Sequence, residues 1–293
     1  MTEADTRIVR SGDSRALAAA MSAGTALCTL VGVDGGFSRR VGAQLAIGAD
    51  GAITGSLADG CLEAELARQA DVARTDGQVR ELRYGAGSPF VDFRLPCGAG
   101  VDVIVDPRPD RAAIGDVLAG LEQRRPGALA IPGAGGLRIE YLPRIRIAAL
   151  GAGPEVAALE ELSRAVLADF TAYVPTGGLS TAAVPTLAVD RWTAVVFLFH
   201  DHDWERLLLP WALGTEAFLV GAIGGVKTRE QRRAMLADAG FGEAAMARVR
   251  APLGLIPQTR DPATLALSVL AEIVRDFEAM IDRGADTCIE QVH

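Results

Sequence analysis

From residue 145 onward one unit recurs. A short apolar run ends in glycine and gives way to a segment with helical spacing. The run Ile145-Arg146-Ile147-Ala148-Ala149-Leu150 breaks at Gly151-Ala152-Gly153, and a helix is expected over 155–167. A strand is expected at 170–174. A fully apolar run at 194–199 is followed by a helix at 204–213, a strand at 217–223, and helices at 228–239 and 263–275. Apolar runs without alternation suit strands covered on both faces. Strands that alternate with helices need crossover connections, which give a parallel sheet. This half of the chain is predicted to be a Rossmann-like domain.

The first half has a different pattern. A short helix at 14–21 precedes strands at 26–33 and 44–47. Ala49-Asp50-Gly51 reads as a hairpin turn into 52–54. Over 61–74 the apolar residues Leu62, Leu66, Ala70 and Ala73 recur at helical spacing. A strand at 101–105 is broken by Pro107 and Pro109, and a helix follows at 112–121. These elements predict an α+β domain over 1–127. Residues 128–143 are rich in Gly and Pro, hold two short strand candidates, and read as a linker. The Rossmann-like domain occupies 144–293, and the fold class is α/β.

Hydrophobic residues make up 49% of the 293 and aromatics only 5%, so the cores are expected to be Ala, Val, Leu and Ile. The formal net charge of −8 argues against a broad nucleic-acid-binding face, which needs a basic surface. Runs such as 194–199 are too short to span a bilayer. The acidic start Met1-Thr2-Glu3-Ala4-Asp5 shows no secretory signal. None of the four cysteines, Cys28, Cys61, Cys97 and Cys288, forms a C-x-x-C pair. A cytoplasmic protein with free thiols is expected.

Cys61 falls where a small-residue turn meets a helix. Unpaired N–H groups and the helix dipole favour a thiolate there, the form that attacks electrophiles and binds metals. A buried structural cysteine is the other reading. Cys97, in Leu95-Pro96-Cys97-Gly98-Ala99-Gly100, suits a reactive thiol or a tight bend. Cys28 lies in an apolar strand and reads as core. Arg39 and Arg40 follow Ser38; paired arginines can grip a phosphate, and they can equally be a solvated pair.

Gly151 and Gly153 begin a dinucleotide fingerprint. The third glycine is replaced by Val156, Pro154 lacks an N–H, and the next strand ends without the ribose-binding acid. His200-Asp201-His202-Asp203 follow the apolar strand, where open α/β sheets keep their sites. Adjacent side chains point in different directions, so the four do not form one metal shell. Asp203 is expected to cap the next helix. Lys227, Arg229, Arg232 and Arg233 read as a solvated helix face.

Together these segments resemble the XdhC/CoxI family. The resemblance runs through Ser38-Arg39-Arg40-Val41-Gly42-Ala43, Asp50-Gly51, Gly55-Ser56, Gly60-Cys61-Leu62-Glu63 and Cys97-Gly98. It continues in Gly151-Ala152-Gly153, His200-Asp201, Gly221 with Gly224, and Ala251-Pro252-Leu253-Gly254-Leu255. It implies a maturation factor for xanthine dehydrogenase and related molybdenum hydroxylases. Such a factor binds molybdenum cofactor (molybdopterin), protects it during sulfuration by a cysteine desulfurase, and inserts it into the apo molybdenum hydroxylase.

On that resemblance Arg39 and Arg40 would hold the cofactor phosphate, helped by backbone N–H groups at Gly55 and Gly60. Cys61 would be the thiol ligand or sulfur acceptor, with Cys97 as its partner and Glu63 and Gly98 beside them. Gly151, Gly153, His200, Asp201 and Gly221 would make the second domain's cofactor contacts. No resident metal site is assigned. The apolar content is compatible with a homodimer. Two other classes stay open: an NAD(P)-dependent oxidoreductase using Gly151, Gly153 and His200, and a docking scaffold without cofactor binding.

Overall fold

The computed structural model describes residues 7–58, 60–88, 98–174, 187–199 and 202–282. The chain divides into two compact units, the first made of Met1–Pro143 and Ile281–His293, the second of Arg144–Met280.

The first unit contains β1 (Ile8–Ser11), α1 (Arg15–Ala19), β2 (Ala26–Asp34), β3 (Gln44–Ile47), β4 (Ile53–Gly55) and α2 (Cys61–Asp76). It continues with β5 (Arg80–Gly85), β6 (Gly100–Asp106), α3 (Arg111–Glu122), β7 (Gly127–Ala130) and β8 (Arg138–Tyr141). Its centre is an antiparallel sheet in the order β4-β3-β2-β6-β5. The apolar run of β2 explains its central place. Ala26, Cys28 and Leu30 pack on one face with Val101, Val103 and Val105 of β6 and with Leu62, Leu66, Ala70 and Ala73 of α2. Leu27 belongs to the opposite face, with Ala46, Ile104, Leu17 of α1, and Ile114 and Val117 of α3. Alternation along the strand thus covers the sheet on both sides.

Residues 128–143 are not a linker. Here β7 and β8 pair antiparallel, and β1 joins β8 in parallel register from Ile8↔Arg138 to Ser11↔Tyr141. The Tyr141 hydroxyl donates to Gln44 Oε1 at 2.5 Å, and Gln44 Nε2 donates to Thr29 Oγ1 at 3.1 Å. Leu129, Leu137 and Ile139 are buried in the same core as α1 and α3. Gly and Pro shape a tight hairpin rather than a flexible connection. Its remaining partner lies about 130 residues upstream, beyond the reach of any local pattern.

The second unit contains β9 (Arg146–Leu150), α4 (Pro154–Ala165), β10 (Asp169–Tyr173), β11 (Thr193–Phe197) and α5 (His202–Leu213). It continues with β12 (Leu219–Ala222), α6 (Val226–Asp238), α7 (Glu243–Ala247), β13 (Val249–Arg250) and α8 (Pro262–Asp282). All pairings are parallel, in the order β10-β9-β11-β12-β13. The strand order reverses between β9 and β11, so the crevice at their carboxyl ends is where such a sheet receives a ligand. Every residue of β11 is buried. Helix α5 starts at His202, which puts Asp203 in its first turn and not at the cap. A carboxylate there still complements the helix dipole.

Candidate functional site

Strand directions in the first unit gather several segments at one end of its sheet. β2 ends at Asp34, opposite Gly100 at the start of β6. Gly55 at the end of β4 faces Leu45 near the start of β3, and Gly85 at the end of β5 faces Gly100. The loop 35–43, residues 56–58 with Gly60, and residues 98–99 before β6 therefore share one end, and Cys61 begins α2 there.

The turn before Cys61 is built around Glu63. Its Oε1 accepts hydrogen bonds from Leu57 N at 3.0 Å, Ala58 N at 2.7 Å and Ser56 Oγ at 3.3 Å. Its Oε2 accepts one from Gly60 N at 2.7 Å. The residue is only 6% exposed. Burial alone would raise its pKa, but hydrogen bonds from the backbone N–H groups of Ala58, Glu63 itself, Gly60 and Leu57 outweigh that and hold it below the usual carboxylate range. Glycine is required at both ends of this turn. Gly55 and Gly60 each have φ +96°, and a Cβ on Gly55 would lie 2.5 Å from the Gln44 carbonyl oxygen.

Arg39 reaches over the turn, with Nη2 donating to Ser56 Oγ at 3.4 Å. Ser56 Oγ in turn donates to the Ala58 carbonyl at 2.9 Å. Arg39 and Arg40 are exposed, while Phe37 packs against the core beneath them and anchors their loop. Gly98 is exposed with φ +69° and open space around it. The fold thus brings together Arg39, Gly55, Gly60, Cys61 and Glu63, with Arg40 next to Arg39 in the loop. Cys97 lies outside the described residues. Glu63 organises the turn, and the Gly60 N–H donates to its Oε2.

The second unit offers a different arrangement. Gly151 has φ +141°, and a Cβ there would lie 2.9 Å from the Leu198 carbonyl, so glycine lets the chain leaving β11 come close. Gly153, with φ +127°, precedes α4, whose first residue Pro154 has no N–H. The Glu155 carboxylate lies 3.1 Å from where a Gly153 Cβ would be, close to the place an incoming phosphate would take. Close packing accounts for glycine at Gly221. It sits buried within β12, where a Cβ would meet Leu253 at 2.7 Å. His200 and Asp201 lie outside the described residues. Among the described residues no group of three His, Cys, Asp or Glu could hold a metal ion.

Arg232, expected on a solvated face, is 4% exposed. Its Nε and Nη2 each donate to Glu205 at 2.6 Å, and Nη2 also donates to the Ile223 carbonyl at 2.5 Å. The signal was legible: Leu236, one turn further along α6, is buried too.

Comparison with known proteins follows this division. The sequence model of the XdhC and CoxI family matches residues 18–85, and that of the XdhC Rossmann domain matches residues 103–273. The molybdenum cofactor insertion chaperone PaoD of Escherichia coli (strain K12) is 33% identical over 283 residues, covering 91% of this chain and 86% of the relative. A crystal structure described as a xanthine dehydrogenase from Bacillus halodurans superposes with a TM-score of 0.72 at 17% identity, covering 90% of this chain and 95% of that one. At that identity the likeness concerns the fold alone.

Proposed function

Because this chain belongs to the XdhC and CoxI family, we propose that it is an accessory protein that binds molybdenum cofactor and delivers it to an apo molybdenum hydroxylase such as xanthine dehydrogenase. The cofactor is cargo, held at the first unit and released intact. The observation that carries this reading is the contact of Arg39 with Ser56, which lays the arginine loop on the turn leading into Cys61.

The residues suit the cargo. Guanidinium groups match a phosphate bidentately, and Arg39 and Arg40 are exposed to receive one. Cys61 is the first residue of a 16-residue helix, and a cysteine thiolate is a soft ligand for the metal end. The Glu63 carboxylate is turned into the backbone, where it accepts the N–H groups of Leu57, Ala58 and Gly60. On this reading Cys61 holds the cofactor while a cysteine desulfurase completes its sulfido ligand, and the apo-enzyme then takes it over. The protein works in the cytoplasm.

The test is maturation of a molybdenum hydroxylase co-expressed with this chain or with its Cys61→Ala variant. Hydroxylase activity per enzyme is expected to fall at least tenfold with the variant. Maturation equal to that with the unaltered chain would remove the thiol from the account.

A further inference from the structure

The second unit carries a feature that the cargo site does not use. Helix α6 is 13 residues long and begins directly after the exposed pair Gly224-Gly225, at the carboxyl end of the parallel strand β12. Among the described residues no side chain caps it, so its first turn presents N–H groups without an intrahelical partner and the positive end of the dipole. Under this turn lies Arg232. Its Nε and Nη2 are held by Glu205 and the Ile223 carbonyl, whereas Nη1 is buried and has no hydrogen-bond partner among the described residues. That nitrogen lies 3.4 Å from where a Cβ on Gly224 would sit. A buried guanidinium N–H without an acceptor is rare enough to ask what satisfies it.

We propose that the Gly224-Gly225 exit and the first turn of α6 form a phosphate site, with Arg232 Nη1 contributing from beneath Gly224. The chemical class is a phosphate ester, either free inorganic phosphate or the phosphate of a nucleotide. Both helix starts bear on the choice of α6 over the glycine pair at α4. Pro154 removes a donor from α4, and Glu155 leans over Gly153. At α6 no acidic residue stands in the first turn, and Lys227 and Arg229 are exposed beside it. Gly225 has open space where a Cβ would be, and at Gly224 the Thr228 side chain, at 3.0 Å, and Arg232 Nη1, at 3.4 Å, fill that position. The site lies on the β12 side of the crevice at which this sheet order receives ligands. The proposal is independent of the cargo reading of the first unit.

The test is a thermal shift and calorimetric titration of the full chain with inorganic phosphate, ADP and adenosine. Phosphate and ADP are expected to raise the melting temperature, and adenosine is not. ADP binding at least tenfold tighter than phosphate would identify a nucleotide, and equal affinities would identify the free ion. Gly225→Asp separates binding from folding. Gly225 has φ −82° and ψ −175°, an ordinary cap conformation with open space around it. An aspartate there caps the helix and repels an anion. The variant is expected to melt at the same temperature or higher while losing at least tenfold in phosphate affinity. No shift with either phosphate probe, adenosine acting as strongly as ADP, or unchanged affinity in Gly225→Asp would each overturn the proposal.

Discussion

Replacing Glu63 by alanine is expected to unfold the turn before Cys61 selectively and to destabilise the first unit by an amount the hydrogen bonds allow to be worked out. The carboxylate accepts three backbone N–H groups at 2.7 to 3.0 Å. Gly60 is exposed and Ala58 half-buried, so their N–H groups can turn to water. Each then loses only the margin of a charge-assisted bond, about 1 kcal/mol. Leu57 is fully buried, and its orphaned N–H carries a desolvation penalty of about 1–3 kcal/mol. The sum for Glu63→Ala is about 3–5 kcal/mol. Glu63→Gln keeps one acceptor oxygen but points an amide N–H₂ at a backbone donor, which gives about 2–3 kcal/mol.

The pH dependence has a definite sign. The native-state pKa is depressed, so the stabilisation is fully present above the unfolded value of about 4.3 and is lost as pH falls through the native value. Urea unfolding of the unaltered chain and Glu63→Gln is therefore expected to give a constant gap from about pH 5.5 to 8 that closes below about pH 4. A loss under about 1 kcal/mol for Glu63→Ala, or a gap that stays open at low pH, would refute the reasoning.

Gly55→Ala places a Cβ 2.5 Å from the Gln44 carbonyl at φ +96°, and is expected to destabilise by about 3 kcal/mol or more in the same urea assay. Arg232→Met leaves Glu205 buried without its cation, and a loss of about 3–5 kcal/mol is expected. Arg232→Met combined with Glu205→Leu is expected to recover most of it, as a double-mutant cycle would reveal. Burial pushes the Cys28 thiol up to about 12, so iodoacetamide at pH 8 is expected to spare Cys28 in the folded protein and modify it in urea, read by peptide mass.

The central strands and long helices were legible in the sequence because a single segment carries its own signal. Helix α2 starts at Cys61 as its apolar spacing implies, and the buried run of β11 could be read as a strand covered on both faces. Elements that depend on a distant partner were not legible. β5, with the sequence RELRYG, is an edge strand whose Arg83 pairs with Asp34 and with Asp102, so its charge hid its role. β1 is four residues long and finds β8 only in the folded unit.

The candidate site divides in the same way. Residue types pointed to Arg39, Arg40 and Cys61, and the fold places the arginine loop on the turn before Cys61. Glu63 stands three residues after the cap Gly60, a spacing that signals its bond to the Gly60 N–H, but its bonds to Leu57 and Ala58 depend on the folded turn. Gly221 looked like a ligand glycine and is explained by Leu253, which only the packing reveals.

The most direct test of the cargo reading is the amount of pterin and molybdenum bound per chain, measured on protein purified from cells that make the cofactor. The unaltered chain is expected to retain both. The double variant Arg39→Ala/Arg40→Ala, whose side chains are exposed, is expected to keep its melting temperature and lose at least nine-tenths of the bound cofactor. An unaltered chain without pterin or molybdenum, or a double variant that holds as much as the unaltered chain, would contradict the account.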